Sequence, residues 1–377
     1  MRKPISFVRL AAILAVTVLL CGAFAACDKV EKEDTLVSGI SSGEYEYTRS
    51  ENTKTARISK YKGMADVLEI PQTLDNLPVV AVEKNAFAGN ETIKQLVLPS
   101  SVERIESGAF KNCTALTTVK LGEKLTEIGD YAFTGCTTLS AVSLPDTVTK
   151  IGSNAFSGCA TLEKVILGEN IESVGVDAFY GTKWFASLTD EFVIVGDGVL
   201  IDYNGESGNV TLPKEVKHIA SAFINDTSVQ SVTLPDGIAQ VDNNAFQGCV
   251  CLTTVKLPDS VTTIGNYAFA RCISLNGVTL PDSVESIGEQ AFSGCIALRN
   301  FVVPPNVTTI AEKTFDGCEN LARVTFHPAV KDVQKNAFAN CGGINVVAFD
   351  GKKTEWEKIV IAEGNDVLKN AILNCAE

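Results

Sequence analysis

A phenylalanine recurs along this chain at a fixed interval, and this repetition constrains the fold more than any other feature. Successive members are 23 residues apart, except for one interval of 44 between Phe179 and Phe223. A strict period of this length predicts one supersecondary unit stacked on itself as a solenoid, because a single unit cannot bury its own apolar face. The repeat phenylalanines are Phe87, Phe110, Phe133, Phe156, Phe179, Phe223, Phe246, Phe269, Phe292, Phe315 and Phe338.

The frame around each phenylalanine predicts where the strands lie. Alanine usually precedes the phenylalanine, cysteine usually follows three residues later, and apolar residues then recur at fixed spacings. After Phe110 these residues are Cys113, Leu116, Val119, Leu121, Leu125 and Ile128. The Val-x-Leu segment predicts one short parallel strand per repeat, and the segment ending at the isoleucine predicts a second extended piece. Residues 266–272 are long enough for only one or two helical turns.

Cysteine usage predicts a ladder of reduced thiols. The chain has 12 cysteines, which in an exported protein would ordinarily suggest disulfides. At the cysteine position, however, three repeats carry Asn90, Thr182 and Asp226, so the position requires a small side chain that bonds to backbone. One cysteine per turn also gives a column and not a tetrahedral cluster, so no metal site is predicted. The column comprises Cys113, Cys136, Cys159, Cys249, Cys272, Cys295, Cys318 and Cys341.

The repeat resembles that of the BspA-like (Treponema-type) leucine-rich repeat family, Leu-x-x-Val-x-Leu-Pro-x-x-Val-x-x-Ile-Gly-x-x-Ala-Phe-x-x-Cys. One repeat supplies Leu275, Val278, Leu280, Pro281, Val284, Ile287, Gly288, Ala291, Phe292 and Cys295 in this order. The resemblance covers about residues 65–349. It implies an α/β-type repeat, a right-handed leucine-rich repeat solenoid with parallel strands, short helical turns, a hairpin excursion and terminal caps. It also implies a surface or secreted protein of adhesion type, but it supplies no binding residue.

The N-terminus has the features of an export signal. Basic residues precede an apolar stretch at 11–20, which is too short to span a bilayer comfortably. Small residues then lead to Cys27, which resembles the lipid-modified cysteine of a bacterial lipobox. We therefore expect a signal peptide at 1–26, lipidation of Cys27 and a membrane-anchored lipoprotein on the cell surface. The alternative is an ordinary signal cut near Ala26, which would give a secreted protein.

The remaining chain divides by its pattern. We expect an acidic tether at 27–43 and an N-terminal cap and first-repeat entry at 44–82, with a hairpin across 45–62. The solenoid is expected at 83–349. A hairpin excursion at 183–210 is predicted from Gly196, Asp197 and Gly198 between two apolar runs. A C-terminal helical cap is expected at 350–377.

Charge and the lack of a catalytic pattern restrict the function. The net charge of −13 argues against nucleic acid and against an anionic membrane surface as partners, so membrane contact is expected only through the N-terminal lipid. The two histidines, His218 and His327, are predicted to face solvent, far apart in sequence and away from a nucleophile. We therefore predict a protein that is not an enzyme, with no catalytic residue and no cofactor.

The outward positions of the predicted strands are the candidate binding surface, because alternate residues of a strand point away from the core. Extracellular proteins or glycans are the expected partners, with adhesion as the main hypothesis. The alternatives are a glycan-binding protein for nutrient capture, which exposed Trp184, Phe185 and Tyr203 would favour, and a structural envelope protein. The candidate residues are Gln95, Thr118, Lys120, Lys164, Thr233, Thr254, Lys256, Asn300 and Arg323.

An acidic column is a further feature of the turns. Its members lie thirteen residues after a repeat phenylalanine, where they suit ordinary turn chemistry. Whether such a column binds calcium stays open at this point. The residues are Glu123, Asp146, Glu169, Asp236, Asp259 and Asp282.

Overall fold

Two parallel ladders of short strands form the repeat array. In the computed structural model, which describes residues 34–376, each regular repeat contributes one strand at the Val-x-Leu position and a second one ending at the isoleucine. Leu96 pairs with Val119 in the first ladder, and Ile105 pairs with Ile128 in the second. The predicted parallel solenoid is therefore confirmed. The predicted signal peptide and Cys27 lie outside the described residues.

The chain enters the array through an antiparallel sheet. Its strands are β1 (Leu36–Ser42), β2 (Tyr45–Ser50) and β3 (Ala56–Tyr61), followed by β4 (Val67–Glu69), β5 (Thr73–Leu74) and β6 (Leu77–Val82). The predicted hairpin is present as β2 and β3. β3 also pairs in parallel with β6, and β6 pairs with the first strand of the second ladder. The tether was expected to reach residue 43, but β1 pairs with β2. Its backbone groups hydrogen-bond to the open edge of β2 and extend the sheet.

The first array and the excursion follow the predicted order. The strands of the first array are β7 (Gln95–Val97), β8 (Arg104–Ile105), β9 (Thr118–Lys120), β10 (Glu127–Ile128), β11 (Ala141–Ser143), β12 (Lys150–Ile151), β13 (Lys164–Ile166) and β14 (Ser173–Val174). The excursion contains α1 (Lys183–Ala186), β15 (Phe192–Val195) and β16 (Val199–Tyr203). β15 and β16 pair antiparallel, as the Gly-Asp-Gly turn predicts.

The regular repeat resumes after the excursion in a second array. Its strands are β17 (Asn209–Thr211), β18 (His218–Ile219), β19 (Ser231–Thr233), β20 (Gln240–Val241), β21 (Thr254–Lys256), β22 (Thr263–Ile264), β23 (Gly277–Val278), β24 (Ser286–Ile287), β25 (Asn300–Val302), β26 (Thr309–Ile310), β27 (Arg323–Phe326), β28 (Asp332–Val333) and β29 (Val346–Phe349). The C-terminal segment contains α2 (Lys353–Trp356), β30 (Val360–Ile361), α3 (Asp366–Asn370) and β31 (Ile372–Cys375). Because β30 pairs with β28 and β31 with β29, this segment continues both ladders in addition to forming the two expected short helices.

The segment around each phenylalanine is a series of tight turns, which differs from the predicted helical turn. The amide of Thr134 donates to the carbonyl of Tyr131, and that of Cys136 donates to the carbonyl of Phe133. Each such bond spans three residues. Tyr131 and Gly135 adopt positive φ angles of 58° and 72°, and left-handed residues at this spacing prevent a continuous helix.

The repeat phenylalanines stack as parallel rings through the core. Phe133 and Phe156 have ring centroids 5.2 Å apart and planes within 5° of each other. The stack consists of two runs, because Tyr61 stacks on Phe87 at the start of the first and Tyr203 contacts Phe223 at the start of the second. Each ring is therefore covered by the rings of the neighbouring turns.

The buried apolar residues form two separate clusters that meet at the excursion hairpin. The first extends from Tyr47 to the excursion, and the second continues to Leu368. The hairpin belongs to both, since Val199 and Ile201 pack in the first cluster and Leu200 in the second. The sheets are also interrupted here, because β13 and β14 end their sheets while β15 and β17 begin new ones.

The cysteine column is a ladder of free, buried thiols, as predicted. Each Sγ donates to the carbonyl of a phenylalanine in the preceding repeat, with sulfur–oxygen distances of 2.8 to 3.3 Å. The three other side chains bond locally. Asn90 accepts from the amides of Thr92 and Ile93, whereas Asp226 accepts from two amides of its own turn. Thr182 accepts from an amide of α1 and so caps that helix.

Candidate functional site

The outward strand face displays the predicted binding residues. Leu96 is 1% exposed, whereas its neighbour Gln95 is exposed, because consecutive side chains of a strand point to opposite sides. The same alternation exposes the other candidates, and only Thr233 among them is half-buried. The structure therefore gives these side chains the orientation that the sequence predicts, while their role in binding stays a prediction.

Strand register brings some of these residues together and separates others. Gln95 lies beside Thr118, Thr233 beside Lys256, and Asn300 beside Arg323. The nine candidates belong to three different sheets. The first sheet contains Gln95, Thr118, Lys120 and Lys164, the second Thr233, Thr254 and Lys256, and the third Asn300 and Arg323. The candidate surface is thus three patches of polar and basic side chains.

The outward face is shallow. A cleft of about 300 Å³ borders Lys120, Ser143 and Pro145, and another of about 250 Å³ borders Thr233 and Lys256. Exposed apolar side chains are interspersed, since Ile166 is 65% and Val302 is 58% exposed. Such a surface suits contact with an extended macromolecule better than enclosure of a small molecule.

The second ladder carries a charged groove that the sequence analysis missed. A cleft of about 420 Å³ is lined by alternating charges, among them Arg104, Glu106, Glu127, Asp130 and Lys150. Two of these charges form an ion pair, in which Lys150 Nζ lies 2.8 Å from Glu127 Oε1. A signal existed in the sequence, since residues 104, 127 and 150 occupy one repeat position and are all charged. The signal is weak, because a charged residue at a strand position is also typical of ordinary solvent-exposed surface.

His218 does not face solvent freely, in contrast to the prediction. It is half-buried in a cleft of about 230 Å³ between the two arrays, and its Nδ1 lies 3.6 Å from Asp242 Oδ1. The neighbouring Asp242 carboxylate raises the pKa of His218 above its ordinary value. Ser153 and Ser173 line the same cleft, but within residues 34–376 no hydrogen bond joins a serine hydroxyl to this histidine. The arrangement is an ion pair when His218 is protonated.

The aromatic residues of the excursion contribute mainly to packing. The Trp184 ring meets Phe179 edge-on, with centroids 4.8 Å apart. Tyr203 is only 8% exposed and donates its hydroxyl hydrogen to the carbonyl of Ser207. The exposed aromatic cluster that would favour glycan binding is therefore absent at Tyr203, whereas Trp184 and Phe185 are half-buried.

The acidic column occupies turns, as expected from its position. The side-chain amide of Asn170 donates to the backbone carbonyl of Asp146, and Asn306 donates in the same way to Asp282. In the described part of the chain, no group of three or more His, Cys, Asp or Glu side chains is arranged to hold a metal ion. The same residues contain no helix that is long and apolar enough to cross a membrane.

Comparison with solved structures gives several matches. A leucine-rich cell surface protein from Faecalibacterium prausnitzii A2-165 is 24% identical, with 88% of this chain and 100% of that chain covered and a TM-score of 0.43. A leucine-rich repeat protein from Bacteroides ovatus ATCC 8483 is 21% identical, with 89% and 98% covered and a TM-score of 0.38. The pneumococcal vaccine antigen PcpA is 19% identical, with 91% and 99% covered and a TM-score of 0.41.

Comparison of the sequence with family models identifies the repeat. No curated protein matches the chain significantly. The model described as BspA type leucine rich repeat region matches in 6 copies, over residues 80–192, 203–253 and 239–363. These regions make up more than half of the chain and include every repeat phenylalanine. The chain belongs to the BspA type leucine-rich repeat family.

Proposed function

We propose that this protein is a non-enzymatic, lipid-anchored protein of the bacterial cell surface that binds other macromolecules, in adhesion or in contact with host or neighbouring cells. The outward face of the first strand ladder is the proposed binding surface. Its exposed side chains, held in register by parallel pairing, are the observation that carries this proposal. Family membership supports a bacterial surface location.

Two basic side chains of this face provide the test. Lys164 is exposed on β13 and Arg323 on β27, and neither belongs to an ion pair within residues 34–376. We expect charge reversal, Lys164→Glu and Arg323→Glu, to change the free energy of unfolding by less than about 0.5 kcal/mol, as is usual at surface positions. Binding to an acidic partner should weaken, because a favourable charge pair becomes a repulsive one.

The measurement begins with a screen of the protein from residue 28 onward against matrix proteins and glycans, followed by affinity measurements on each variant. Lys214→Glu is the matched control, since its side chain is 89% exposed and it lies outside the outward strand positions. If an acidic ligand binds all three variants as well as it binds the parent protein, the outward face is not the binding surface. A ligand set composed only of glycans would favour nutrient capture.

Anchoring has its own test. Cys27→Ala should abolish incorporation of labelled fatty acid, because the thiol that would carry the lipid is removed. Metabolic labelling followed by fractionation of the cell envelope measures this. Cys21→Ala is the control, since Leu20 before it is too bulky for a lipobox. Unchanged labelling of Cys27→Ala would show that another signal class or another cysteine is used.

A further inference from the structure

A small pocket lies where the first array meets the excursion. It has a volume of about 150 Å³, which is below the usual range for drug-sized ligands and suits a single side chain. Its lining residues include three aromatic ones, Phe179, Tyr180 and Phe185, and two acidic ones, Asp177 and Asp202. The lining residues come from the last turn of the first array, from α1 and β16 of the excursion, and from the turn that follows β18.

The aromatic wall is partly open to solvent. Phe179 is 3% exposed, because it ends the first run of stacked rings and Trp184 covers it. Tyr180, the next residue, is 65% exposed. Phe185 is half-buried in α1. Besides the buried Phe179, the pocket is therefore lined by one half-buried and one exposed aromatic residue.

The charged residues that line the pocket are all acidic. Its lining includes Asp177 and Asp202 but no lysine, arginine or histidine. Neither carboxylate belongs to an ion pair within residues 34–376. Oδ1 of Asp202 accepts the amide hydrogen of Tyr203 at 3.1 Å, and burial raises the pKa of Asp202 above its ordinary value. A partly desolvated carboxylate without a cation gains from a positive charge placed beside it.

We propose that this pocket binds a basic side chain, such as lysine, presented by a partner protein. The alkyl part would contact the aromatic rings and the ammonium would lie between the rings and the two carboxylates. Cations bind favourably over aromatic faces, and charge-assisted hydrogen bonds to carboxylates are stronger than neutral ones. The proposal goes beyond the outward strand face, because the pocket lies at the turns and the excursion and shares no residue with that face.

The experiment uses the purified full chain and two small probes. The cationic probe is Nα-acetyl-lysine methylamide, and the neutral probe is Nα-acetyl-norleucine methylamide, which has the same alkyl chain without the ammonium. Affinities are measured by saturation-transfer difference NMR, which detects weak binding. We expect the lysine probe to bind about tenfold more tightly than the norleucine probe, as one cation beside aromatic and anionic groups predicts.

Substitutions locate the site. Asp202→Asn should weaken binding of the lysine probe by about fivefold or more, since it removes the charge but keeps the shape. Asp177→Asn should weaken it too, and asparagine tolerates the φ of 55° at this position. Tyr180→Ala removes the exposed ring. Asp190→Asn is the matched control, because Asp190 is an exposed carboxylate of the same excursion that does not line the pocket.

The outcomes separate clearly. The site would be established if the parent protein binds the lysine probe more tightly than the norleucine probe, if Asp202→Asn reduces this preference and if Asp190→Asn keeps it. Equal binding of the two probes, no detectable binding of the lysine probe, or unchanged binding by Asp202→Asn would each overturn the proposal. If Asp202→Asn does not fold, as judged by circular dichroism, Asp177→Asn and Tyr180→Ala decide in the same way. None of these results depends on whether the outward strand face binds a partner.

Discussion

Replacing Phe269 by alanine is expected to lower the free energy of unfolding by about 3–5 kcal/mol. The ring is fully buried and stacks between Phe246 and Phe292 at centroid distances of 5.4 and 5.3 Å. Alanine would leave a cavity between two rings that strand pairing holds apart, so the neighbours cannot collapse into it. Chemical denaturation followed by circular dichroism measures the loss.

The division of the core at the excursion predicts where this loss appears. Phe133→Ala is the matched variant in the first cluster, since Phe133 is equally buried and lies 5.2 Å from each neighbouring ring. We expect each variant to destabilise mainly the cluster that contains it, because stability in repeat arrays passes between adjacent repeats. Thr254→Ala on the outward face is the control and should change little. A single transition lowered equally by both phenylalanine variants would show that the two clusters unfold as one unit.

Alkaline pH should also destabilise the protein strongly, through its buried thiols. Burial raises the pKa of Cys295 from its ordinary value of 9.0 to about 12. The folded state therefore keeps the proton that the unfolded chain loses above pH 9. The contribution of this thiol to the free energy of unfolding is fully present below pH 9. It then falls by about 1.4 kcal/mol per pH unit as the pH rises toward 12. The pKa values of Cys136, Cys249 and Cys318 are also raised, by hydrogen bonding to a neighbouring thiol and by burial, whereas the hydrogen bond to Cys136 lowers the pKa of Cys113.

Denaturation at a series of pH values from 7 to 11 measures this effect. Cys295→Ala is the informative variant, because it removes one titrating thiol and should make the decline between pH 9 and 11 less steep. Its stability at pH 7 provides the baseline. Cys251→Ala is the control, since Cys251 is exposed and its loss should leave the slope unchanged. A decline that is equally steep in the parent and in Cys295→Ala would contradict a role for the buried thiol.

The sequence predicted the parts of the fold that repeat and was less informative where a repeat is interrupted. The apolar columns fix the register of both ladders, so the strand at 118–120 and its equivalents could be placed from spacing alone. The turn around each phenylalanine was predicted as helical because its length permits a helix. Positive φ recurs two residues before the phenylalanine, as at Asn85, Gly108 and Tyr131. Asparagine and glycine there are a signal for a left-handed turn, whereas a tyrosine at the same position carries none.

The outward strand residues and the pocket were likewise only partly predictable from the sequence. Alternation along a strand predicted which side chains face outward, because that property is local. It could not predict that Lys164 and Arg323 lie in different sheets, since this depends on the interrupted ladders. The pocket beside Tyr180 was also beyond the sequence analysis. Asp202 is 25 residues from Asp177, and only the path of the excursion brings both to one cavity.

The three residues that replace cysteine in the column stand at the ends of the stacks of repeats. A thiol at this position needs a phenylalanine carbonyl in the turn below, which the first turn of an array does not have. Asn90 and Asp226 each stand in such a first turn, where Tyr61 or Tyr203 supplies the ring underneath, and both accept hydrogen bonds from their own turn instead. Thr182 stands in the last turn before the excursion. In a longer chain of this type, asparagine or aspartate in place of cysteine would therefore indicate the first turn of a new stack, and the number of stacks could be counted from the sequence.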